Sequence, residues 1–178
     1  VQDGPLFKMP IKVKIDETDQ IIWVEDKEAI FEIPSKKRPE LVIFNSGQIV
    51  PSELTFNKPI SECILQLENS THILDKISAI NVLKDKKGRR VVEMALLKAA
   101  ESDPFWGVRR EAVYALAAHK SKKYAKDLIN ISEGQDNRVR RAIWYALRNY
   151  KNNEQVSSFL QEIIDTDKKY YSISDAFR

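Results

Sequence analysis

The spacing of hydrophobic positions changes once along the chain. In "LFKMPIKVKI" every second residue from Phe7 to Ile15 is apolar, and three lysines lie among the intervening positions. This alternation predicts a half-buried β-strand, because successive side chains of a strand point to opposite faces. Pro10 predicts that the strand lies at a sheet edge or carries a bulge, since proline lacks an N–H group to donate. Polar turns separate it from "IIWVED", "AIFEIP" and "LVIF", which predict further short strands.

From Ile60 onward, apolar residues recur every three or four positions, which predicts amphipathic helices. Apolar stripes that begin at Ile60, Ile73 and Val92 predict the first three helices. Further helices are predicted at about 105–119, 122–133, 137–150, 153–165 and 170–178. Helices of this length are marginal alone in water, so we expect them to pack on one another.

Two of the helical segments are near copies of each other. "VRREAVYAL" begins at Val108 and "VRRAIWYAL" begins 31 residues later at Val139, each with apolar residues at i, i+4, i+7 and i+8. A weaker copy ends at Leu83, and a later copy, "YYSISDAF", is cut off at the end of the chain. Spacings of 31 to 34 residues with two helices per unit are typical of an α-solenoid. The motif resembles HEAT repeats.

The sequence therefore predicts a multi-part α+β fold. Residues 1–55 are expected to form a small, partial antiparallel β-sandwich domain. Residues 56–178 are expected to form an α-α superhelix, a HEAT-like helical repeat domain that is truncated at its C-terminus.

An arginine pair recurs in the two clear copies, and an aspartate precedes each of the three later copies. We interpret these residues as a structural ladder in which a repeat arginine pairs with an acid of the preceding turn or the adjacent repeat. The predicted ladder residues are Asp103, Arg109, Asp136, Arg140 and Asp167. The aspartates would also suit helix N-caps. Arg110 and Arg141 are candidates for contact with a partner at the surface.

A basic ridge that contacts phosphates is the alternative interpretation of these arginines. The formal net charge of +3 does not favour it, because so small an excess gives no strong positive field. Four aromatic residues also recur near the repeat helices. We expect them to fill gaps between hairpins rather than to stack on nucleobases. They are Trp106, Tyr114, Trp144 and Tyr145.

Residue types that carry catalysis are sparse. Cys63 is the single cysteine and is expected to be buried, while His72 and His119, the two histidines, are expected at the surface or at helix ends. There is no zinc-binding spacing, no phosphate-binding glycine loop and no nucleophile-base pattern. The sequence predicts no catalytic residue, metal ligand or cofactor in this chain. It also lacks an apolar run long enough to suggest a membrane span.

The order of the segments carries a family resemblance. "PLFKMPIKVKI", then "VIFNSGQIVPSEL", then "FNKPISECILQLENS" and helical repeats, resembles the C-terminal part of the aminopeptidase N family of zinc metallopeptidases. Pro5, Phe7, Pro10 and Val13 look like the sandwich strand of that family, and Asn45 stands where the family usually has Asp. The zinc ligands and catalytic residues of the family lie in an upstream catalytic domain, and no position here matches them.

The resemblance implies a non-catalytic fragment that caps the cleft of a zinc-dependent aminopeptidase and restricts access to short peptides. Its implied partners are its own upstream catalytic domain, in which zinc is expected, and peptide substrates reached through the parent enzyme. A protein-interaction scaffold derived from an inactive relative is the alternative, and a HEAT-like nucleic-acid binder is less favoured. The fragment is expected to be soluble, and it shows no targeting signal that would indicate a compartment.

Overall fold

The computed structural model describes residues 7–120, 123–150 and 152–166. Within them a three-stranded antiparallel sheet precedes seven α-helices. The chain divides into two compact units, Val1–Ala79 and Ile80–Arg178, and each is described by itself. The first unit therefore takes in helical residues as well as strands. The predicted domain boundary between residues 55 and 56 stays a prediction.

The sheet of the first unit has the strand order β2-β1-β3. Its strands are β1 (Met9–Ile15), β2 (Thr18–Val24) and β3 (Val42–Phe44). Ile11 and Val13 lie two residues apart on one face of β1 and are buried, as the alternation predicts. The antiparallel strand content of the first half is thus confirmed.

Two details of the strand prediction are wrong. β1 is the central strand of the described sheet and not an edge. Pro10 is tolerated there because β3 pairs with β1 over Val13–Ile15 and stops short of it, so near Pro10 the described neighbour of β1 is β2. Residues 29–34, "AIFEIP", form no strand. Ile30 is 94% and Phe31 41% exposed, and Ile33 is half-buried, so none of these apolar residues enters the core.

A side chain from the second helix fixes the loop that follows β3. The first two helices are α1 (Ile60–Asn69) and α2 (Ile73–Lys84). The buried carboxylate of Asp75 accepts hydrogen bonds from Ser46 Oγ and from the Gly47 backbone N–H, both at 2.8 Å. Gly47 has a φ of 77°, a left-handed conformation that glycine adopts without strain. Cys63 is buried, as expected.

The second unit contains five complete helices in its described part. They are α3 (Arg90–Ser102), α4 (Trp106–His119), α5 (Ala125–Ser132), α6 (Asn137–Leu147) and α7 (Glu154–Thr166). The helices predicted at 105–119, 122–133 and 153–165 are confirmed within a few residues. The helix predicted at 137–150 ends earlier, because a 3-10 turn occupies Arg148–Tyr150. The helix predicted at 170–178 lies outside the described residues.

The repeated apolar stripe is the core of this unit. α4 packs beside α6, α3 packs on α4, and α5 packs on both α6 and α7. All eight predicted stripe positions are buried: Val108, Ala112, Ala115, Leu116, Val139, Ile143, Ala146 and Leu147. Three of them are alanines, whose small side chains let neighbouring helices approach closely. The α3–α4 and α5–α6 pairs are therefore successive helical hairpins.

Candidate functional site

The first predicted ladder pair makes contacts within a single turn. Asp103 ends α3, and its Oδ1 accepts a hydrogen bond from the Phe105 backbone N–H at 2.9 Å. Arg109 Nη1 donates to the backbone carbonyl oxygen of Asp103 at 2.6 Å and to that of Pro104 at 3.2 Å. Asp103 is therefore not the N-cap of α4, a position that Phe105 occupies. These bonds fix the connection between α3 and α4.

The second pair differs from the first. Asp136 is the N-cap of α6, and its side chain accepts from the Arg138 backbone N–H at 2.9 Å. Its two carboxylate oxygens also accept from the Arg138 guanidinium at 2.9 and 3.0 Å. Arg140 instead lies over the Trp144 ring, 5.0 Å from its centroid. Asp167 lies outside the described residues. Pairing between adjacent repeats thus stays a prediction.

The Asp136 cap predicts a pH-dependent contribution to stability. Hydrogen bonds from the Arg138 side chain and backbone lower the pKa of Asp136 from 3.8 to about 2. A depressed folded pKa means that the contribution is present above pH 3.8 and is lost as the pH falls through about 2. We expect Asp136→Ala to melt at a lower temperature than the parent at neutral pH, with the difference shrinking over that window. Circular dichroism melts of both proteins across the pH range measure this. A difference that is independent of pH would contradict it.

The exposed sides of α4 and α6 carry equivalent residues. Tyr114 and Tyr145 stand 31 residues apart, at the same position of the two copies, and are 37% and 50% exposed. Their rings meet edge to face, with centroids 5.8 Å apart and an interplanar angle of 84°. Arg110 and Arg141 precede them by four residues, about one helical turn on the same side. The two candidate surface arginines therefore accompany a tyrosine pair that spans both hairpins.

Trp144, which is 1% exposed, fills the space between helices as expected, whereas the two tyrosine rings meet between the hairpins but remain partly exposed. The signal that places the tyrosines outside the core is in the sequence. Each follows the first stripe residue by six positions, and at about 100° per residue that is about 240° round the helix, well outside the apolar stripe. Aromatic residue type alone did not give this distinction.

Charged side chains surround the tyrosine pair. Tyr114 and Tyr145 line an open groove together with Lys84, Lys120 and Arg148, and we call it the tyrosine groove. Glu111 also lines it. The tyrosine groove belongs to the second unit, and its described lining residues present two phenol rings, three cations and one carboxylate.

Trp106 joins the starts of the same two helices. The guanidinium of Arg138 lies 3.6 Å from the centre of the Trp106 ring, and that of Arg110 lies 5.1 Å from it. Such cation–π contacts are typically worth about 0.5–1 kcal/mol at exposed sites. Arg138 had no role in the sequence prediction, yet it contacts both the Asp136 cap and the Trp106 ring.

A cluster of polar side chains is buried between the helices. The Tyr124 hydroxyl donates to Glu93 Oε2 at 3.0 Å, and His119 Nδ1 lies 3.9 Å from Glu93 Oε1. His119 Nε2 is 3.1 Å from the Leu83 carbonyl oxygen. Because a carbonyl only accepts, Nε2 must carry a proton. His119 ends α4 as expected, but its side chain is fully buried and not at the surface.

The two tyrosines nearest this cluster are poor acids. Burial raises the pKa of Tyr124, and its hydrogen bond to Glu93 adds to the effect. Burial and the Glu93 charge raise the pKa of Tyr150 to about 12. The cluster is closed to solvent and ties α3, α4 and α5 together, so we assign it to stability. In the part of the chain that the structure describes, no group of three or more His, Cys, Asp or Glu side chains could hold a metal ion.

One comparison with known proteins bears on the helical half. Residues 93–176, just under half of the chain, match the family described as HEAT repeats. No curated protein matches the chain. The comparisons thus support a helical repeat region, and they give no support to the aminopeptidase N resemblance. Within the described ranges, no helix combines the length and the apolar character needed to cross a bilayer.

Proposed function

We propose that this chain is a protein-interaction scaffold whose binding surface is the exposed side of α4 and α6. The observation that carries the proposal is the tyrosine pair. Equivalent positions of two successive repeats place Tyr114 and Tyr145 side by side in an open groove. Repeat arrays of this class present extended surfaces built from equivalent positions of stacked units.

The chemistry of the pair suits protein binding. A tyrosine side chain offers a large contact area, a hydrogen-bonding hydroxyl and a low cost in conformational entropy. The opposite sides of both helices are buried through Val108, Leu116, Val139 and Leu147. The groove is therefore held on packed helices and needs little reorganisation to bind, which favours affinity.

Selection of displayed random dodecapeptides against the folded chain tests this function. We expect enriched peptides that bind the parent chain and lose about tenfold or more in affinity to the Tyr114→Ala, Tyr145→Ala double variant. Met94 and Val91 are exposed apolar residues on α3, so Met94→Ala, Val91→Ala is the matched control and should bind normally. Failure to enrich any peptide, or enriched peptides that bind the double variant equally well, would overturn the proposal.

The finer expectations for the fold remain proposals. We propose that the three-stranded sheet is one layer of a β-sandwich, since Ile21 and Trp23 on one face of β2 are 64% and 50% exposed. We likewise propose that the helical hairpins continue as a superhelix. The aminopeptidase parent, its zinc, the upstream catalytic domain and a cleft-capping role stay predictions that rest on the sequence resemblance alone.

A further inference from the structure

We infer that the tyrosine groove selects acidic peptide segments that also carry an apolar side chain. This inference rests on the proposed function and adds the chemistry of the partner. It is carried by the charges around the tyrosine pair and by the way the two rings meet.

The charge of the groove is positive and mostly uncompensated. Glu111 is the one carboxylate among the described residues that line it, and Glu111 Oε1 already accepts from Arg110 at 3.0 and 2.7 Å. Neither Lys84 nor Lys120 forms an ion pair with another described residue. Both are exposed. Carboxylates of a bound segment would therefore find two exposed ammonium groups in the same groove as the tyrosine pair.

Arg148 contributes the third cation. Its Cζ lies 5.1 Å from the centre of the Tyr145 ring, its Nε is buried, and the side chain as a whole is half-buried. A guanidinium presents several N–H donors in a plane that matches a carboxylate. We therefore expect the terminal Nη groups of Arg148, which lines the groove, to bind a carboxylate beside the tyrosine pair.

The ring geometry favours a peptide over a nucleobase. Arg148 lies over one face of Tyr145, and Tyr114 meets Tyr145 at 84°, so the pair does not form a flat platform. Base stacking needs a free aromatic face. An edge-to-face pair instead leaves a cleft of aromatic edges that suits a leucine or phenylalanine side chain.

The size of the groove limits the segment that it can hold. Packed helices lie about 8–10 Å apart, and an extended peptide advances about 3.3 Å per residue. About three to five extended residues would cross α4 and α6 together. One apolar anchor with an acidic residue on each side fits this length.

Fluorescence polarisation with defined probes tests the inference. The main probe is a fluorescein-labelled peptide of about ten residues in which pairs of Asp or Glu alternate with Leu or Phe. Its comparators replace the acids by Asn and Gln, or by Lys, and a labelled oligothymidine of the same length represents nucleic acid. We expect the acidic peptide to bind at least about tenfold more tightly than any comparator, and more weakly as salt rises from about 50 to about 300 mM.

Charge-reversal variants locate the binding. We expect Lys120→Glu and Lys84→Glu each to weaken binding of the acidic peptide by about fivefold or more. Lys126→Glu is the matched control. Lys126 is exposed on α5 and does not line the groove, and its substitution by Glu changes the net charge by the same amount. It should leave the affinity within about twofold of the parent. Unchanged circular dichroism melts establish that each variant is folded.

Several outcomes overturn the inference. Equal binding of the acidic and amide peptides, tighter binding of oligothymidine, or equal weakening by Lys126→Glu and Lys120→Glu would each do so. If displayed peptides that depend on the tyrosines are neutral or basic, the interaction function stands and the acidic preference fails. If neither the displayed peptides nor the defined probes bind, both fail.

Discussion

Trp144→Ala is expected to lower the free energy of unfolding by about 3–5 kcal/mol, the usual cost of deleting a large buried aromatic side chain. Trp144 is 1% exposed and packs in a cluster with Ile163 of α7. Partly buried apolar residues of the same helix surround the cluster: Phe159, Leu160 and Ile164. Removal of the indole would leave a cavity between α6 and α7. We therefore expect the backbone amides of α7 to lose more protection from hydrogen exchange than those of the other helices.

The neighbouring residue provides the control. Tyr145→Ala truncates an aromatic side chain one position away that is 50% exposed, so it should cost no more than about 1 kcal/mol. Urea denaturation followed by circular dichroism measures both variants, and hydrogen exchange reports on the α7 amides. If both variants lowered the free energy of unfolding equally, the assignment of Trp144 to the core and of Tyr145 to the binding face would be contradicted.

Glu93→Ala is expected to lower the free energy of unfolding by about 3 kcal/mol, although it removes a charged residue from the protein interior. Glu93 is 5% exposed and accepts from the Tyr124 hydroxyl, with His119 Nδ1 nearby. Both partners are buried, and a buried polar group left without a partner costs about 1–3 kcal/mol. The loss should therefore exceed that of an ordinary surface substitution.

Conservative variants separate the charge of Glu93 from its hydrogen bonds. Glu93→Gln keeps an acceptor for Tyr124, so we expect it to cost less than Glu93→Ala. Burial and the negative charge of Glu93 together raise the pKa of Tyr150 to about 12. Because Glu93→Gln removes that charge, the pKa of Tyr150 should fall. Phenolate absorbance during alkaline titration of the folded protein measures the change. An unaltered Tyr150 titration in Glu93→Gln would contradict the proximity of the two groups.

The sign of the alkaline effect follows from the same pKa. A folded pKa of about 12 lies above the ordinary tyrosine value of 10.0. The contribution of Tyr150 to stability is therefore complete below pH 10.0 and is lost as the pH rises through about 12.

Helix periodicity predicted most of the second unit from the sequence. The stripe from Val108 to Leu116 and its copy from Val139 to Leu147 are buried at every predicted position, because the 3.6-residue period directly reports which side of a helix faces the core. The strand prediction was weaker. Alternation identified β1, but it also suggested a strand at 29–34, where none forms. A strand needs a neighbouring strand to pair with, and the alternation of apolar residues does not show whether one is present.

The candidate site was only partly predictable. The repeat placed Arg110 and Arg141 at equivalent positions, but it did not show that the rings of Tyr114 and Tyr145, one helical turn further on, are in contact. That contact depends on how closely α4 and α6 approach. The partners of Asp136 and Glu93 were missed for a similar reason, because capping and buried hydrogen bonds depend on backbone geometry and not on residue spacing alone.

The central claim is that the exposed side of α4 and α6 is a protein-binding surface centred on the tyrosine pair. Nitrogen-15-edited NMR spectra of the folded chain, recorded while the acidic peptide is added, test it most directly. The largest and saturable shifts are expected at the amides of Tyr114, Lys120, Tyr145 and Arg148, with none of comparable size on the exposed side of α3 around Met94. Saturable shifts centred on α3, or no saturable shift on α4 and α6, would contradict the claim.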